Sequence, residues 1–246
     1  MTEKTVVIGL GEVGRPLCDL IAQTEADVLG IDAGPVEMPA PGTVAVMHIC
    51  IPFEIDDFVG QTAGYVDCLQ PELTVINSTV GVGTTRAVHE RTGARIVHSP
   101  VRGKHARMAE ELTYYDKFIG PIDAEAGALA KRHFESLGMS TRMLSSPEAS
   151  ELAKLTETTY FGVLVAWAQE VERYCEAVGV DYDEVVAIYE QIGYLPPVKF
   201  FPGVIGGHCV MPNIQILKAI ADTPVLQAVR WSNAEKTARQ SATAPA

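Results

Sequence analysis

The sequence predicts an α/β protein in which a doubly wound parallel sheet is followed by an all-α region built on one long helix. Three observations predict it. The first 32 residues read strand, glycine-rich turn, helix, strand, acid. Short apolar, β-branched runs then alternate with helical patterns as far as residue 146. From Pro147 to Gly179 the chain has neither proline nor glycine between its ends except Gly162.

The first strand is Thr5-Val6-Val7-Ile8-Gly9, apolar throughout, as suits a strand buried on both faces. Gly9-Leu10-Gly11-Glu12-Val13-Gly14 follows, and a helical stretch runs from about Val13 to Gln23. Gly9 permits the tight turn, Gly11 lets backbone approach a pyrophosphate, and Gly14 lets the helix sit close to the strand. The helix N-terminus offers unpaired N–H groups and partial positive charge to phosphates. The whole turn, with Leu10, Glu12 and Val13, is therefore the expected cofactor-binding segment. Val28–Ile31 forms the second strand and ends at Asp32, 21 residues beyond Gly11. A carboxylate there accepts hydrogen bonds from a ribose hydroxyl pair and repels a 2′-phosphate, which favours NAD over NADP.

Further strands are expected at Val44–Ile51, Leu73–Ser78, Ile96–His98 and Phe118–Gly120. The link Ala33–Gly42 holds Gly34, Pro35, Pro39, Pro41 and Gly42, so it reads as a bare loop rather than a crossover helix. These elements make residues 1–146 a Rossmann-like dinucleotide-binding domain. Residues 147–236 read as helical. Ser145 or Ser146 caps a helix of roughly 30 residues, about 45 Å long, which suits a domain link or a dimer interface. A second helix is expected over Asp181–Gly193, then a proline- and glycine-rich loop, Tyr194–Asn213. Two short helices follow near Ile214–Ala221 and Pro224–Lys236, and residues 237–246 read as a frayed tail.

The 246 residues carry a net charge of −12, with 47% hydrophobic and 20% charged residues. That is a globular balance, and its sign argues against a nucleic-acid-binding surface. It leaves room for a small anionic substrate held by local cations. No apolar run approaches the ~20 residues of a membrane span, and the N-terminus lacks the features of a signal peptide. Five cysteines, with no CxxC pair, argue against a disulfide framework or a structural zinc site, so no metal is expected and a reducing cytoplasm fits best. Cys18, Cys50, Cys68 and Cys175 lie in strand or helix patterns and read as packing residues. His48 and His98, each in an apolar strand, read as satisfied core histidines.

With these residues in view, the sequence resembles the UDP-glucose/GDP-mannose dehydrogenase family. The motifs are the GLGEVG turn, Ile51-Pro52-Phe53, the run Ser78 to Thr85 (STVGVGTT), Glu151-Leu152-Ala153-Lys154-Leu155, and Pro202 to Cys209 (PGVIGGHC). They span about Val6 to Asn213. The resemblance implies an NAD domain, a helical dimerisation region and a second α/β domain for the nucleotide sugar. It implies oxidation of a primary alcohol to a carboxylate in two NAD-dependent steps. Cys209 is then the nucleophile that adds to the aldehyde to give a thiohemiacetal, later oxidised to a thioester and hydrolysed. Lys154 stabilises the alkoxide and oxyanions. Thr79 positions a water, and Pro52, Ser78 and Thr79 join the cofactor site. Gly206 and Gly207 let substrate approach beside His208 and Cys209. Read alone, a cysteine such as Cys209 is most often a small buried hydrophobe and a helical lysine such as Lys154 is usually solvated.

Three departures stand out. The family's asparagine four residues after the lysine is Thr158 here, and its aspartate four after the cysteine is Asn213. The acidic segment after the fifth strand reads Ser99-Pro100-Val101-Arg102-Gly103-Lys104-His105, so Arg102, Lys104 and His105 suit a phosphate or carboxylate. After Asn213 only 33 residues remain, too few for the nucleotide-binding domain. The expectation is a smaller substrate, a homodimer through the long helix that completes the site, or a partner chain that supplies the domain. Three functions follow as expectations. One is an NAD-dependent oxidation of an alcohol or aldehyde on an anionic, sugar-like substrate. Another is a two-electron β-hydroxyacid-type dehydrogenase using Lys154, and a third is a non-catalytic NAD-binding sensor or scaffold.

Overall fold

The computed structural model describes residues 4–24, 27–32, 38–102, 108–193, 202–207 and 209–243. The chain divides into two compact units, Met1–Lys154 and Leu155–Ala246. The division falls after the first turns of the long helix rather than before it, at 146.

The first unit is a seven-stranded sheet. Its strands are β1 (Lys4–Ile8), β2 (Asp27–Ile31), β3 (Val44–Ile49), β4 (Leu73–Ile76), β5 (Ile96–His98), β6 (Lys117–Pro121) and β7 (Thr141–Met143). The order is β2-β1-β3-β4-β5-β6-β7. Pairing is parallel from β2 to β5, antiparallel between β5 and β6, and parallel again between β6 and β7. Helices α1 (Gly14–Ala22), α2 (Phe58–Leu69), α3 (Thr84–Thr92), α4 (Met108–Tyr114) and α5 (Ala124–Ser136) intervene. Successive strand residues point to opposite faces, and both faces are covered. Val7, Val46, Val75 and Val97 pack with Leu17, Ile21 and Phe134 on one face. Val6, Ile8, Met47, Ile49 and Ile76 pack with Phe58, Leu69 and Val88 on the other.

Two features differ from the pattern read in the sequence. β6 runs against β5, so the link that carries α4 is not a parallel crossover. β7 was not anticipated: it is three residues long and mostly exposed, so its composition carries no strand signal. The short link before β3 shows no helix over residues 38–43, where Thr43 closes a turn onto the Ala40 carbonyl. Positions 33–37 lie outside the described residues.

Helix α6 (Pro147–Val178) is 32 residues long, and Ser146 Oγ accepts the Ala149 N–H at its start. The second unit contains most of α6, then α7 (Tyr182–Ala187) capped by Asp181, a 3₁₀ turn Ile188–Gln191, α8 (Val210–Lys218) and α9 (Pro224–Thr243). Its core joins Val165, Ala166, Ile205, Val210, Ile214, Leu226 and Val229. A side chain on Gly162 would come within 2.6 Å of Val210, so glycine is what lets α6 and α8 meet. The tail expected to fray is helical to Thr243: Lys236 pairs with Glu172, and Arg239 with Glu176, on α6. Its small polar residues hide that anchoring.

One cysteine departs from the packing expectation. Cys68 is exposed, whereas Cys18 and Cys175 are buried and the half-buried Cys50 packs against the core. Cys68 faces solvent because α2 buries only the stripe Phe58, Thr62, Ala63, Val66 and Leu69. His48 and His98 are fully buried and hydrogen-bonded.

Candidate functional site

The chain runs from β1 to β2 on one side, then crosses back to β3 on the other side of β1. Ligands of such sheets bind beyond the carboxyl ends of the strands, where the order reverses. The glycine-rich turn occupies that place. Gly9, at φ +87, donates its N–H to the Ile31 carbonyl at 2.8 Å, which sets the turn against the end of β2 and Asp32. Cys50 N–H donates to Ile8 O at 2.8 Å and ties in the end of β3. A Cβ on Gly14 would lie 1.8 Å from Gly9 O, so no other residue fits there. A Cβ on Gly11 would meet nothing within 4 Å. The turn is thus closed on the protein side by Gly14 and open on the outer side at Gly11.

Helix α1 has no acidic residue in its first turn and no side chain capping its N-terminus. The N-terminus is thus left without a side-chain cap, and the open cradle fits a pyrophosphate. Asp32 is exposed directly after β2. Leu10 and Val13 are half-buried, and Glu12 is exposed.

The neighbouring strand ends are laced together. Ser78 Oγ–H donates to Ile51 O at 2.6 Å and joins the loop carrying the exposed Pro52 to the one carrying the half-buried Thr79. His98 on β5 meets Ser150 Oγ at 2.9 Å and Ser78 O at 3.1 Å. Burial, with the charges of Lys117 and Lys154 behind it, brings its pKa down to about 3 against the opposing bond to Ser78 O. Lys154, half-buried on α6, is thus felt electrostatically at the end of β5.

A buried polar cluster not read from the sequence lies beside these loops. Lys117 is 4% exposed. Its ammonium donates to Ser99 O at 2.7 Å, Pro100 O at 3.3 Å and Asn77 Oδ1 at 3.3 Å, and lies 5.1 Å from the Phe134 ring centre. Burial brings its pKa down to about 7. Asn77 Nδ2 meets His48 Nδ1 at 3.1 Å, and His48 Nε2 meets His133 Nε2 at 2.8 Å. The amide can only donate through nitrogen, so His48 Nδ1 accepts and Nε2 carries the proton. Burial also pushes His48 well down, His133 down to about 4, and the Cys50 thiol up to about 12.

Arg102 is half-buried, its guanidinium 5.4 Å from the Tyr115 ring centre and 5.2 Å from that of Phe118. It is stacked on aromatic surface rather than simply solvated. Lys104 and His105 lie outside the described residues, as does His208.

In the second unit, Cys209 is exposed at the N-cap of α8, and Asn213 is buried one turn on, with its N–H bonded to Cys209 O at 3.2 Å. Gly206 has open space where a side chain would stand, and Gly207 sits at φ +75. The approach to this turn is held by two amides that the sequence gave no reason to single out. Asn233 Oδ1 accepts the Ile205 N–H at 2.7 Å while its Nδ2 donates to Ile205 O at 3.0 Å. Gln169 Nε2 donates to Gly203 O at 2.7 Å. Thr158, on α6, is buried and donates Oγ1–H to Glu157 at 3.3 Å. So the first unit gathers Gly9–Gly14, Asp32, Pro52, Ser78 and Thr79 at one sheet edge. The second gathers Gly206, Gly207, Cys209 and Asn213 at the start of α8.

Residues 148–239 match the model of the UDP-glucose/GDP-mannose dehydrogenase family, central domain. A UDP-N-acetyl-D-mannosamine dehydrogenase of Methanococcus vannielii is 24% identical over 85% of this chain and 59% of its own length. The chain therefore spans less than two thirds of that relative. The structure of the UDP-D-ManNAc dehydrogenase of Pyrococcus horikoshii superimposes with a TM-score of 0.82 at 21% identity, over 97% of this chain and 70% of that one. A 3-hydroxyisobutyrate dehydrogenase of Mycobacterium tuberculosis superimposes with a TM-score of 0.74 at 18% identity, over 99% of this chain and 95% of that one. NAD is the cofactor of UDP-glucose/GDP-mannose dehydrogenases, and the cradle at Gly11 fits it. Among the described residues no group of three His, Cys, Asp or Glu could hold a metal ion. None of the described helices is long and apolar enough to cross a membrane.

Proposed function

We propose that the chain is an NAD-dependent oxidoreductase acting on an alcohol or aldehyde carbon of an anionic, sugar-like substrate. The substrate class suggested by its relatives is a nucleotide sugar of the UDP-N-acetyl-D-mannosamine kind. The observation that carries this reading is the turn closed by Gly14 against Gly9 O and open at Gly11, with Asp32 beside it.

NAD, when bound, accepts hydride. Lys154 stabilises the alkoxide as the first hydride leaves the alcohol carbon. The Cys209 thiol then adds to the aldehyde carbon, its proton passing to the oxygen, to give a thiohemiacetal. That carbon loses the second hydride, the hydroxyl proton departs, and a thioester remains. Water, positioned by Thr79, cleaves the thioester and returns the thiol. The N-terminus of α8 favours negative charge at the Cys209 sulfur. Arg102, Lys104, His105, Thr158, Gly206, Gly207, His208 and Asn213 form the substrate side. Tyr160, Trp167 and Tyr174 recur seven residues apart on α6 and are 54%, 53% and 58% exposed. That stripe supports a homodimer through α6, completed where necessary by a partner chain. Five unbridged cysteines suit a cytoplasmic setting.

The test is NADH stoichiometry with UDP-N-acetyl-D-mannosamine. Two NADH per sugar and a trapped Cys209 thioester are expected, and full activity in Cys209→Ser would rule out the thiol route. A two-electron β-hydroxyacid dehydrogenase is the second reading. It is favoured by Thr158 and Asn213, which weaken the hydrolytic half, and by the likeness covering 95% of the 3-hydroxyisobutyrate dehydrogenase chain. One NADH per turnover on a 3-hydroxy acid would select it. NAD binding with no hydride transfer across both substrate classes would instead leave a sensor or scaffold.

A further inference from the structure

We propose that Glu151 is a positioning residue that sets the loop after β4, and through it the nicotinamide half of the cofactor cleft. The inference rests on the dinucleotide reading above.

Glu151 is 1% exposed. One carboxylate oxygen accepts the Gly83 N–H at 2.7 Å. The other accepts the Thr85 N–H at 2.8 Å and the Thr85 hydroxyl at 2.6 Å. These are N–H groups at the start of α3, where an acceptor is needed and a negative charge is favoured. The local residue cannot supply it: the N-cap is Gly83, at φ +93, with no side chain. The cap comes instead from α6, 66 residues further on. Burial pushes the carboxyl pKa up, and the bonds from Thr85 and Gly83 oppose that shift.

The capped segment ends the loop that begins with Ser78 and Thr79. Val80 in its middle is fully buried, and a Cβ on Gly81 would stand 3.3 Å from the Phe53 ring. Fixing Gly83 and Thr85 at one end, with Ser78 tied to Ile51 at the other, leaves the loop little freedom. The loop's place in the sheet gives it a partner. Asp32, at the end of β2, takes the adenosine ribose on one side of the switch point. The other half of a dinucleotide then lies across β1 towards β3 and β4. Two more contacts pin the same turn of α6, Glu148 to Arg86 and Ser150 to His98, but only Glu151 reaches the β4 loop and α3 start together.

The test uses Glu151→Gln in the full chain. Glutamine keeps the volume but presents an NH₂ to a backbone N–H, donor against donor. Calorimetric titration with NAD and with ADP-ribose, which lacks the nicotinamide, reads the two halves separately. NAD affinity is expected to fall about tenfold while ADP-ribose stays within about twofold, since a charge-assisted bond is lost on one side only. Glu148→Gln loosens the same turn and should leave both affinities unchanged. Should Glu151→Gln fail to fold, Thr85→Val removes one of the three bonds and should give a smaller loss, again confined to NAD. Equal losses for both ligands, or a lowered melting temperature with NAD affinity intact, would overturn the positioning role. Wild-type protein that binds neither ligand would overturn the dinucleotide reading itself, and this inference with it.

Discussion

Gly9–Gly14 and Gly203–Gly207 are both glycine-rich turns leading into a helix, and they are held by different means. The first is fixed by backbone: Gly9 N–H on Ile31 O, Cys50 N–H on Ile8 O, and Gly14 pressed on Gly9 O. The second is fixed by side chains from distant helices, with Asn233 pairing both polar groups of Ile205 and Gln169 holding Gly203 O. A backbone-held turn depends on its own glycines and tolerates change around it. A side-chain-held turn depends on residues far away in sequence and tolerates more change within itself.

Gly14→Val tests the first half of that contrast and should have the largest effect. Its Cβ would stand 1.8 Å from Gly9 O, and backbone would have to move. A loss of about 3 kcal/mol or more in urea unfolding is expected, as for overpacking at a rigid site. NAD titration should show no binding. Retention of both would mean the turn adapts and is not set by this contact.

Asn233→Ala is the matching change in the second unit. It strands the N–H and C=O of Ile205, for an expected loss of about 2–3 kcal/mol. Hydrogen exchange should speed at the Ile205 amide and leave the β1 amides unchanged. Uniform acceleration through both units would erase the distinction.

The first unit contains an exception that sharpens the contrast. At the end of β5 a side chain, Lys117, holds Ser99 O and Pro100 O and so steadies the segment carrying Arg102. Its pKa of about 7 lies below the usual lysine value of 10.5. Between these values the unfolded chain binds the proton and the folded one has released it. Stability should therefore rise with pH from about 7 towards 10, by up to about 1.4 kcal/mol per pH unit. Buried His48, His98 and His133 act at the other end. Unfolded histidines protonate below about 6.5, the folded ones only far lower, so stability should fall as pH drops through that range. Urea midpoints across pH should show both limbs, and Lys117→Met should flatten the alkaline one while only softening the acid one, since burial is the main cause of the histidine shifts and the Lys117 charge a lesser one.

The same contrast governs what could be read in advance. The GLGEVG turn was legible because its geometry requires glycine at set spacing and involves only neighbours in sequence. The length of α6 was legible from the absence of proline and glycine. Asn233, Glu151 and Lys117 owe their roles to partners 28, 66 and 17 residues away or more, so the sequence offered residues without their contacts. Glu151 and Lys154 came forward as one motif, yet only the fold shows that the glutamate caps α3. Arg102 was legible as a cation, but not its stacking on Tyr115 and Phe118.

Gly206 and Gly207 offer the smallest expected effect on stability and the finest test. Gly206 is not in the left-handed region, and nothing lies within 4 Å of a Cβ placed there. Alanine should change stability by no more than about 0.5–1 kcal/mol, with a gain possible because the unfolded chain loses freedom. Gly207, at φ +75, should lose about 1 kcal/mol as alanine. If the space beside Gly206 is where substrate approaches Cys209, Gly206→Ala should raise KM while leaving unfolding untouched. Gly207→Ala should show the reverse weighting, since its cost lies in the backbone. Equal behaviour of the two variants would mean that the open space at Gly206 has no part in binding.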